Sequence, residues 1–485
     1  MAMTSISRII TKLAEEDPER PIVTNDGQTV KRREFDLRTN RLARAYQKLG
    51  VEQNDFVTIA LPNSIEFFEA CAAIWKLGAT PQPVSSRLPR MELETIVELA
   101  NPSLIIGIEP GLLGARPTLA AGFQADQHLP DSVLPDLVSK NWKAPTSGGS
   151  TGRPKLIVSN IAGEFDLEEE STVRMLANRT HLVTGPLYHN GPLLFSMRGL
   201  FRGCHIVVMT RFDAEQTLAL IEKYRVDWMM MVPTMMHRIW RLGEEIREKY
   251  DLSSLRIMLH LAAPCPIWLK EKWIDWLGDR VHELYGGTEE TGATWITGEE
   301  WLTHRGSVGK LYTEGQIKVV DENGNELPPG ETGEIFFLPK EGQGSTYYYI
   351  GAEAESIEDG WESIGDIGYL DEDGYLYLGD RKKDMILCGG ANIYPAEVEA
   401  AIDSHPHVRS SVVVGLPHED LGQAVHAIVD APGGIQSEEL LEFLADRLIR
   451  YKIPRSFEFV DFPLRDEAGK TRRSALAQER IETQQ

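Results

Sequence analysis

Thr146-Ser147-Gly148-Gly149-Ser150-Thr151-Gly152-Arg153-Pro154-Lys155 is the most informative stretch of the chain, and Leu156-Ile157-Val158 follows it at once as a strand. Three glycines let the backbone approach a phosphate chain closely and expose its N–H groups. Four hydroxyls add donors, and Lys155 closes the run with a positive charge. Arg153-Pro154 separates Gly152 from Lys155, so this is not a Walker loop, in which lysine follows the glycine directly. A Gly/Ser cluster alone reads as a surface loop. One that ends on lysine and runs into an apolar strand reads as a phosphate-binding loop.

On either side of this loop, strand-like and helix-like stretches alternate. Phe56–Leu61, Leu104–Ile108, Ile206–Thr210, Trp228–Val232, Arg256–Leu261 and a segment ending near Tyr285 read as strands. Ile65–Leu77, Glu92–Ala100, Ala214–Tyr224 and a stretch through Trp273 read as helices. This alternation predicts parallel sheets covered by helices, with ligands bound at the carboxyl ends of the strands. After about residue 310 the pattern turns antiparallel. One hairpin is expected across Asn323-Gly324, between Ile317–Val320 and Glu334–Leu338, and another around Asp371–Gly374. Beyond the charged stretch Asp380-Arg381-Lys382-Lys383-Asp384 comes a small α+β unit. It comprises helices at Ala396–Ile402 and Glu438–Ile449, a hairpin within Ser411–Val429 and a strand at Phe457–Val460. The boundary is expected at that charged stretch, giving units 1–381 and 382–485.

The chain has 485 residues, 42% hydrophobic and 25% charged, which suits a soluble globular protein of two to four structural units. A net charge of −23 argues against nucleic acid and anionic membrane as partners, while leaving room for a local nucleotide site. Cys71, Cys204, Cys265 and Cys388 lie far apart without pairing or metal spacing, which suits the reducing cytoplasm. No apolar run is long enough to span a bilayer, and the N-terminus lacks an apolar signal core.

The loop and several later segments, in order along nearly the whole chain, resemble the adenylate-forming superfamily of acyl-CoA synthetases, luciferases and peptide-synthetase adenylation domains. The resemblance implies a large α/β N-terminal domain, with two helix-covered sheets and a distorted β-barrel, and a small mobile α+β C-terminal domain. It assigns Thr146, Ser147, Gly148, Gly149, Ser150, Thr151, Gly152 and Lys155 to ATP phosphates. The strand end Glu283-Leu284 leads into Tyr285-Gly286-Gly287-Thr288-Glu289, which resembles the adenine-and-magnesium segment. Residues 285–287 then flank adenine, Thr288 contacts the α-phosphate, and Glu289 ligates Mg²⁺, a hard cation that prefers carboxylate oxygen. Ala262-Ala263-Pro264 resembles the segment packing against adenine. Asp366 resembles the ribose ligand, because a carboxylate can accept from both ribose hydroxyls. Arg381 resembles its partner, Lys383 the hinge, and Gly389-Gly390 the segment that meets the pantetheine arm of CoA.

Lys470 resembles the mobile catalytic lysine. Attack of a carboxylate on the α-phosphate gathers negative charge on both reactants, and a lysine bridging them favours the transition state. Read without the resemblance, it is one charge in a basic tail. His189, Asn190 and Gly191, with Val232 and Gly287, resemble the border of the acyl pocket. His189 there either orients the carboxylate or is a structural histidine. Met229–Met231 and Met235-Met236 either line the pocket or belong to the core. No basic signature marks these segments, which counts against polyanionic substrates.

Gly149-Ser150 departs from the two threonines usual in the superfamily. That departure and the short chain, with the stretches Gln82–Pro89 and Gly344–Gly351, resemble bile-acid- or steroid-type CoA ligases and imply a bulky ring-bearing acid. The expected reactants are thus a small-molecule carboxylic acid, ATP with Mg²⁺, and CoA. An amine acceptor in place of CoA is the alternative, since adenylation motifs serve both. A degenerate binding protein is the third reading, and the presence of Glu289, Asp366, Arg381 and Lys470 argues against it. Monomer and homodimer both remain open.

Overall fold

The computed structural model describes residues 3–148, 154–168, 171–381, 384–388, 391–466 and 469–483; of Ser147, Glu355, Glu358, Asp380, Arg381 and Asn392 it describes the backbone alone. Six parallel strands form the centre of the large sheet. Their order is Pro21–Asn25, His205–Val208, Thr180–Val183, Trp228–Met231, Ile257–His260 and Val281–Gly286. Trp228–Met231 is buried along its whole length, as expected for a strand covered on both faces. A second parallel sheet contains Thr80–Pro83, Phe56–Ile59, Leu104–Ile106 and Thr118–Leu119.

Local signals start the covering helices. Ser64 accepts from the Phe67 amide to open Ile65–Lys76, and Asp213 accepts from the Gln216 amide to open Ala214–Tyr224. Helix Asn190–Phe201 starts differently. His189 holds its N-cap position and makes no side-chain cap. That helix packs tightly on strand Thr180–Val183, because a Cβ on Gly199 would lie 2.8 Å from His181 Nδ1.

Antiparallel strands continue the large sheet from Ala293–Thr297 through Ser307–Leu311 and Leu376–Arg381 to Glu362–Leu370, Gly333–Pro339 and Gly315–Val320. Both expected hairpins are present: Gly315–Val320 pairs with Gly333–Pro339, and Glu362–Leu370 with Leu376–Arg381. A third, small sheet joins Thr146–Gly148, Pro154–Ser159 and Tyr347–Ile350. No helix among the described residues is long and apolar enough to cross a membrane.

The C-terminal unit has its own sheet, built on the hairpin Ser410–His418/Gly422–Asp430. Strand Ser456–Val460 adds parallel to Gly422–Asp430, and Ile386–Cys388 pairs with the start of that same strand along the same edge. Helices Pro395–Asp403 and Ser437–Ala445 cover one face through Val398, Ile402, Leu440 and Leu444. Helix Arg473–Thr483 contributes Leu476, Ala477 and Ile481 to the other. Two readings change here. The helix expected to reach Ile449 ends at Ala445, and Ile449 is exposed. The basic tail after Lys470 is the start of a packed helix.

Candidate active site

A cleft of about 1850 Å³ runs between the carboxyl ends of the central strands, the small three-stranded sheet and the C-terminal unit. Thr146, Lys155, Ala262–Pro264, Glu283–Glu289, Asp366 and Lys470 line it, together with His189, Asn190, Gly191 and Val232. The structure thus collects residues more than 300 positions apart into one space. Ser147 and Gly148 lie in strand Thr146–Gly148 and Arg381 in strand Leu376–Arg381, with only the backbone of Ser147 and Arg381 described. Gly149, Ser150, Thr151, Gly152, Lys383, Gly389 and Gly390 lie outside the described residues.

On the phosphate side, Thr58 donates to Gln82 Oε1 at 2.7 Å, and Gln82 Nε2 donates to Thr146 Oγ1 at 2.8 Å. The second sheet thereby orients the first hydroxyl of the loop. Lys155 Nζ lies 3.6 Å from the centre of the Tyr349 ring and 3.9 Å from Glu289 Oε1. Tyr349 donates to the same Glu289 oxygen at 2.6 Å. Burial, and next the Glu289 charge, push the Tyr349 hydroxyl pKa up, so it remains a donor at neutral pH. Gly287 packs closely on this carboxylate, since a Cβ would fall 2.7 Å from Glu289 Oε2. Glu289 is 9% exposed, a buried carboxylate facing the cleft beside a lysine, which suits a site for Mg²⁺ bridging to phosphate.

On the nucleoside side, Tyr285 donates to Asp366 Oδ2 at 2.7 Å, and Asp366 stands opposite Arg381 in the strand register. Ala262 has φ +75°, a left-handed conformation costly for any residue with a Cβ, at the point where strand Ile257–His260 ends. Glu283 lines the cleft, but its carboxylate lies 2.5 Å from the buried Lys270 Nζ. Its side chain therefore braces the strand beneath the site.

On the side expected to border the acyl group, helix Asn190–Phe201 presents Asn190, Leu194 and Arg198, four residues apart, along one wall. Met230 and Met235 line the cleft, whereas Met229, Met231 and Met236 are fully buried, so the methionine cluster divides between pocket and core. Behind the wall the buried Lys143 pairs with Glu290 and donates to Asn190 Oδ1 at 2.5 Å. Arg198 lies 3.9 Å from the other Glu290 oxygen. Burial alone would raise the Glu290 carboxyl pKa, but Lys143 and Arg198 hold it below its usual value. His189, without a cap to make, turns to the cleft mouth. Its Nε2 lies 3.7 Å from Asp466 Oδ2. Burial, and secondarily the Lys470 charge, lower its pKa to about 3, so the ring is neutral.

Asp466 also holds the turn that carries Lys470. Its Oδ1 accepts from the Lys470 amide at 2.8 Å, and its own amide donates to Lys470 O at 2.9 Å. Gly469, with φ +74°, packs on Val232 and Thr234, where a Cβ would meet Thr234 Oγ1 at 3.3 Å. Two further contacts seat the C-terminal unit on the large one. Arg472 Nη2 lies 3.3 Å from Glu92 Oε1, and Arg241 donates to the Pro406 and Val408 carbonyls.

Sequence reasoning missed Lys143, Arg198, Tyr349 and Asp466. Lys143 carried a readable signal, a lysine in the otherwise uncharged run Asn141-Trp142-Lys143-Ala144-Pro145. Tyr349 sits in a β-prone tyrosine run whose pairing with the strand at Leu156-Ile157-Val158 no local pattern announces. Arg198 is basic, but its place in the pocket depends on helical phase from His189.

Comparison with known proteins gives the same picture. The AMP-binding enzyme family matches residues 10–348, and the AMP-binding enzyme C-terminal domain matches residues 397–470. A 2–succinylbenzoate–CoA ligase of Bacillus licheniformis is 30% identical over 480 residues, covering 96% of this chain and 98% of the relative. A feruloyl-CoA synthase of Amycolatopsis is 31% identical over 477 residues, covering 92% and 93%. An o-succinylbenzoate CoA synthetase of Bacillus subtilis, solved with its acyl-adenylate intermediate, superposes with a TM-score of 0.84 at 25% identity, covering 98% of each chain. The same synthetase with ATP and magnesium ion gives 0.83. With these matches spanning both units, the chain belongs to the AMP-binding enzyme family, within the adenylate-forming superfamily of the acyl-CoA synthetases.

Proposed function

We propose that the protein joins a bulky, ring-bearing carboxylic acid to CoA at the expense of ATP, giving a thioester, AMP and pyrophosphate. The observation that carries this reading is the meeting of Lys470 with the His189 wall in the same cleft as Thr288, Glu289 and Asp366. In the first step the acid's carboxylate enters beside His189 and attacks the α-phosphorus near Thr288, forming the acyl-adenylate as the bond to the β-phosphate breaks and pyrophosphate leaves. Lys470 offsets the negative charge that accumulates between them. Glu289 would hold Mg²⁺, which when bound neutralises phosphate charge. Asp366 and the Tyr285 backbone orient the nucleoside.

In the second step the unit from residue 382 onward turns about Lys383, withdraws Lys470, and brings Gly389-Gly390 to the cleft to meet the CoA thiol arm. Two features support a ring-bearing acid: the apolar lining supplied by Leu194, Phe195 and Met230, and relatives named for succinylbenzoate and ferulate. Replacing Lys470 by alanine should cut pyrophosphate release from acid plus ATP by about 10²–10³-fold. Thioester formation from supplied acyl-adenylate should be nearly untouched. Undiminished pyrophosphate release would refute the assignment.

A further inference from the structure

The turn bearing Lys470 is bracketed by two arginines that converge on one buried carboxylate. Glu399, on helix Pro395–Asp403, is 5% exposed. Its Oε1 accepts from Arg473 Nη2 at 2.6 Å and from the Val413 amide at 2.8 Å, and its Oε2 accepts from Arg465 Nη2 at 2.7 Å. The arginines carry the linkage outward. Arg465 Nη1 donates to Gly469 O at 3.4 Å and Nη2 to Ser411 O at 3.1 Å. Arg473 Nη1 donates to Asp384 Oδ2 at 3.0 Å. One continuous network thus joins the backbone beside Lys470, the strand Ser410–His418 and the residue that follows the hinge position.

We propose that Glu399 is a positioning residue for adenylation, fixing the Lys470 turn to the hinge-proximal chain so that rotation of the C-terminal unit delivers the lysine as part of a rigid body. Lysine is long and strongly hydrated, and Lys470 is exposed. Without an anchor the turn would sample many positions, and a misplacement of about 1 Å can cost about 10²-fold in rate. A buried carboxylate with charged donors on both oxygens is a stiff anchor, since removing either side strands an opposite charge. Every contact lies within the C-terminal unit, so the anchor is the same whichever way that unit faces. The inference rests on the role proposed for Lys470.

The test measures the two half-reactions separately for Glu399→Gln and Arg473→Lys, each alone and combined with Lys470→Ala. Lysine at 473 keeps the charge but cannot reach Glu399 and Asp384 together, so it decides the matter should Glu399→Gln fail to fold. Each single variant is expected to lower the rate of pyrophosphate release by about 10–100-fold with KM for ATP within about twofold. Thioester formation from supplied acyl-adenylate and CoA should stay within about threefold, and no further loss should appear on the Lys470→Ala background. Equal losses in both half-reactions, or an added tenfold loss on the Lys470→Ala background, would overturn the proposal. Lys470→Ala without effect on pyrophosphate release would instead remove the role on which it rests.

Discussion

Glu290 shows how one residue sets the character of the acyl wall. Its backbone has φ +54°, and its carboxylate meets Lys143 and Arg198, whereas that of the neighbouring Glu289 meets Lys155 and Tyr349. Lys143 takes up one oxygen from behind the wall, while Arg198 stands farther off and also faces the cleft. Two cations therefore share one carboxylate, and the guanidinium retains donors for a substrate. Sequence reasoning counted against polyanionic substrates because the segments around His189 carry no base; Arg198 lies about two helical turns further on. Arg198→Met should lower kcat/KM for acids with a second carboxylate remote from the reacting one by about 10–100-fold, consistent with a charged hydrogen bond of roughly 1.5–3 kcal/mol. Matched acids lacking that group should change little. A substrate panel with paired mono- and diacids measures this directly.

Among elements, the helix Asn190–Phe201 and the strand beneath it form a tight junction near the site. His181 makes an edge-to-face contact with Trp228, ring centres 4.6 Å apart, under the gap left by Gly199. Burial lowers its pKa to about 3. The unfolded chain takes up a proton near pH 6.5 and the folded protein does not, so this residue's contribution to stability is complete above pH 6.5 and is lost as pH falls toward 3. Replacing it with phenylalanine should shrink the difference in unfolding free energy between pH 7 and pH 5 by about 2 kcal/mol, read from urea melts at both values.

The elements most legible in the sequence were those whose own residue pattern mirrors their surroundings, buried throughout or on one face only. The all-apolar Trp228–Met231 and the amphipathic, Asp213-capped Ala214–Tyr224 lie where the pattern placed them. Strand Tyr347–Ile350 was illegible because its partner, Pro154–Ser159, is remote in sequence. Helix Arg473–Thr483 was hidden by its charge: its arginines pair with Asp384, Glu399 and Glu458 and so lie against the fold despite reading as a solvated tail. The motif residues were legible as chemistry, yet their supports Lys143, Tyr349 and Glu399 were not, since a supporting residue is defined by a neighbour in space.

At the scale of the whole molecule, the cleft is completed by the seat of the C-terminal unit. Asp466 over His189, Gly469 on Val232 and Thr234, and Arg241 beneath the Pro406 and Val408 carbonyls make that seat. Among the described residues these contacts are largely polar, which suits the rotation proposed for this unit. Arg241→Ala removes donors from two backbone carbonyls, worth about 1 kcal/mol each. It should slow pyrophosphate release by about 3–10-fold and leave thioester formation from acyl-adenylate unchanged or faster, a divergence that stopped-flow of the separated half-reactions detects.

The small sheet of Thr146–Gly148, Pro154–Ser159 and Tyr347–Ile350 also bears on how the protein is made. Tyr349 pairs with Ile157 across a long interval of chain. A ribosome adding about 5–20 residues per second needs on the order of 10–40 s to travel that interval. For all of that time the glycine-rich segment is already synthesised while its third strand does not yet exist. Competence to hold a nucleotide therefore arrives late in the birth of the molecule, after the parallel strands have had time to assemble without it.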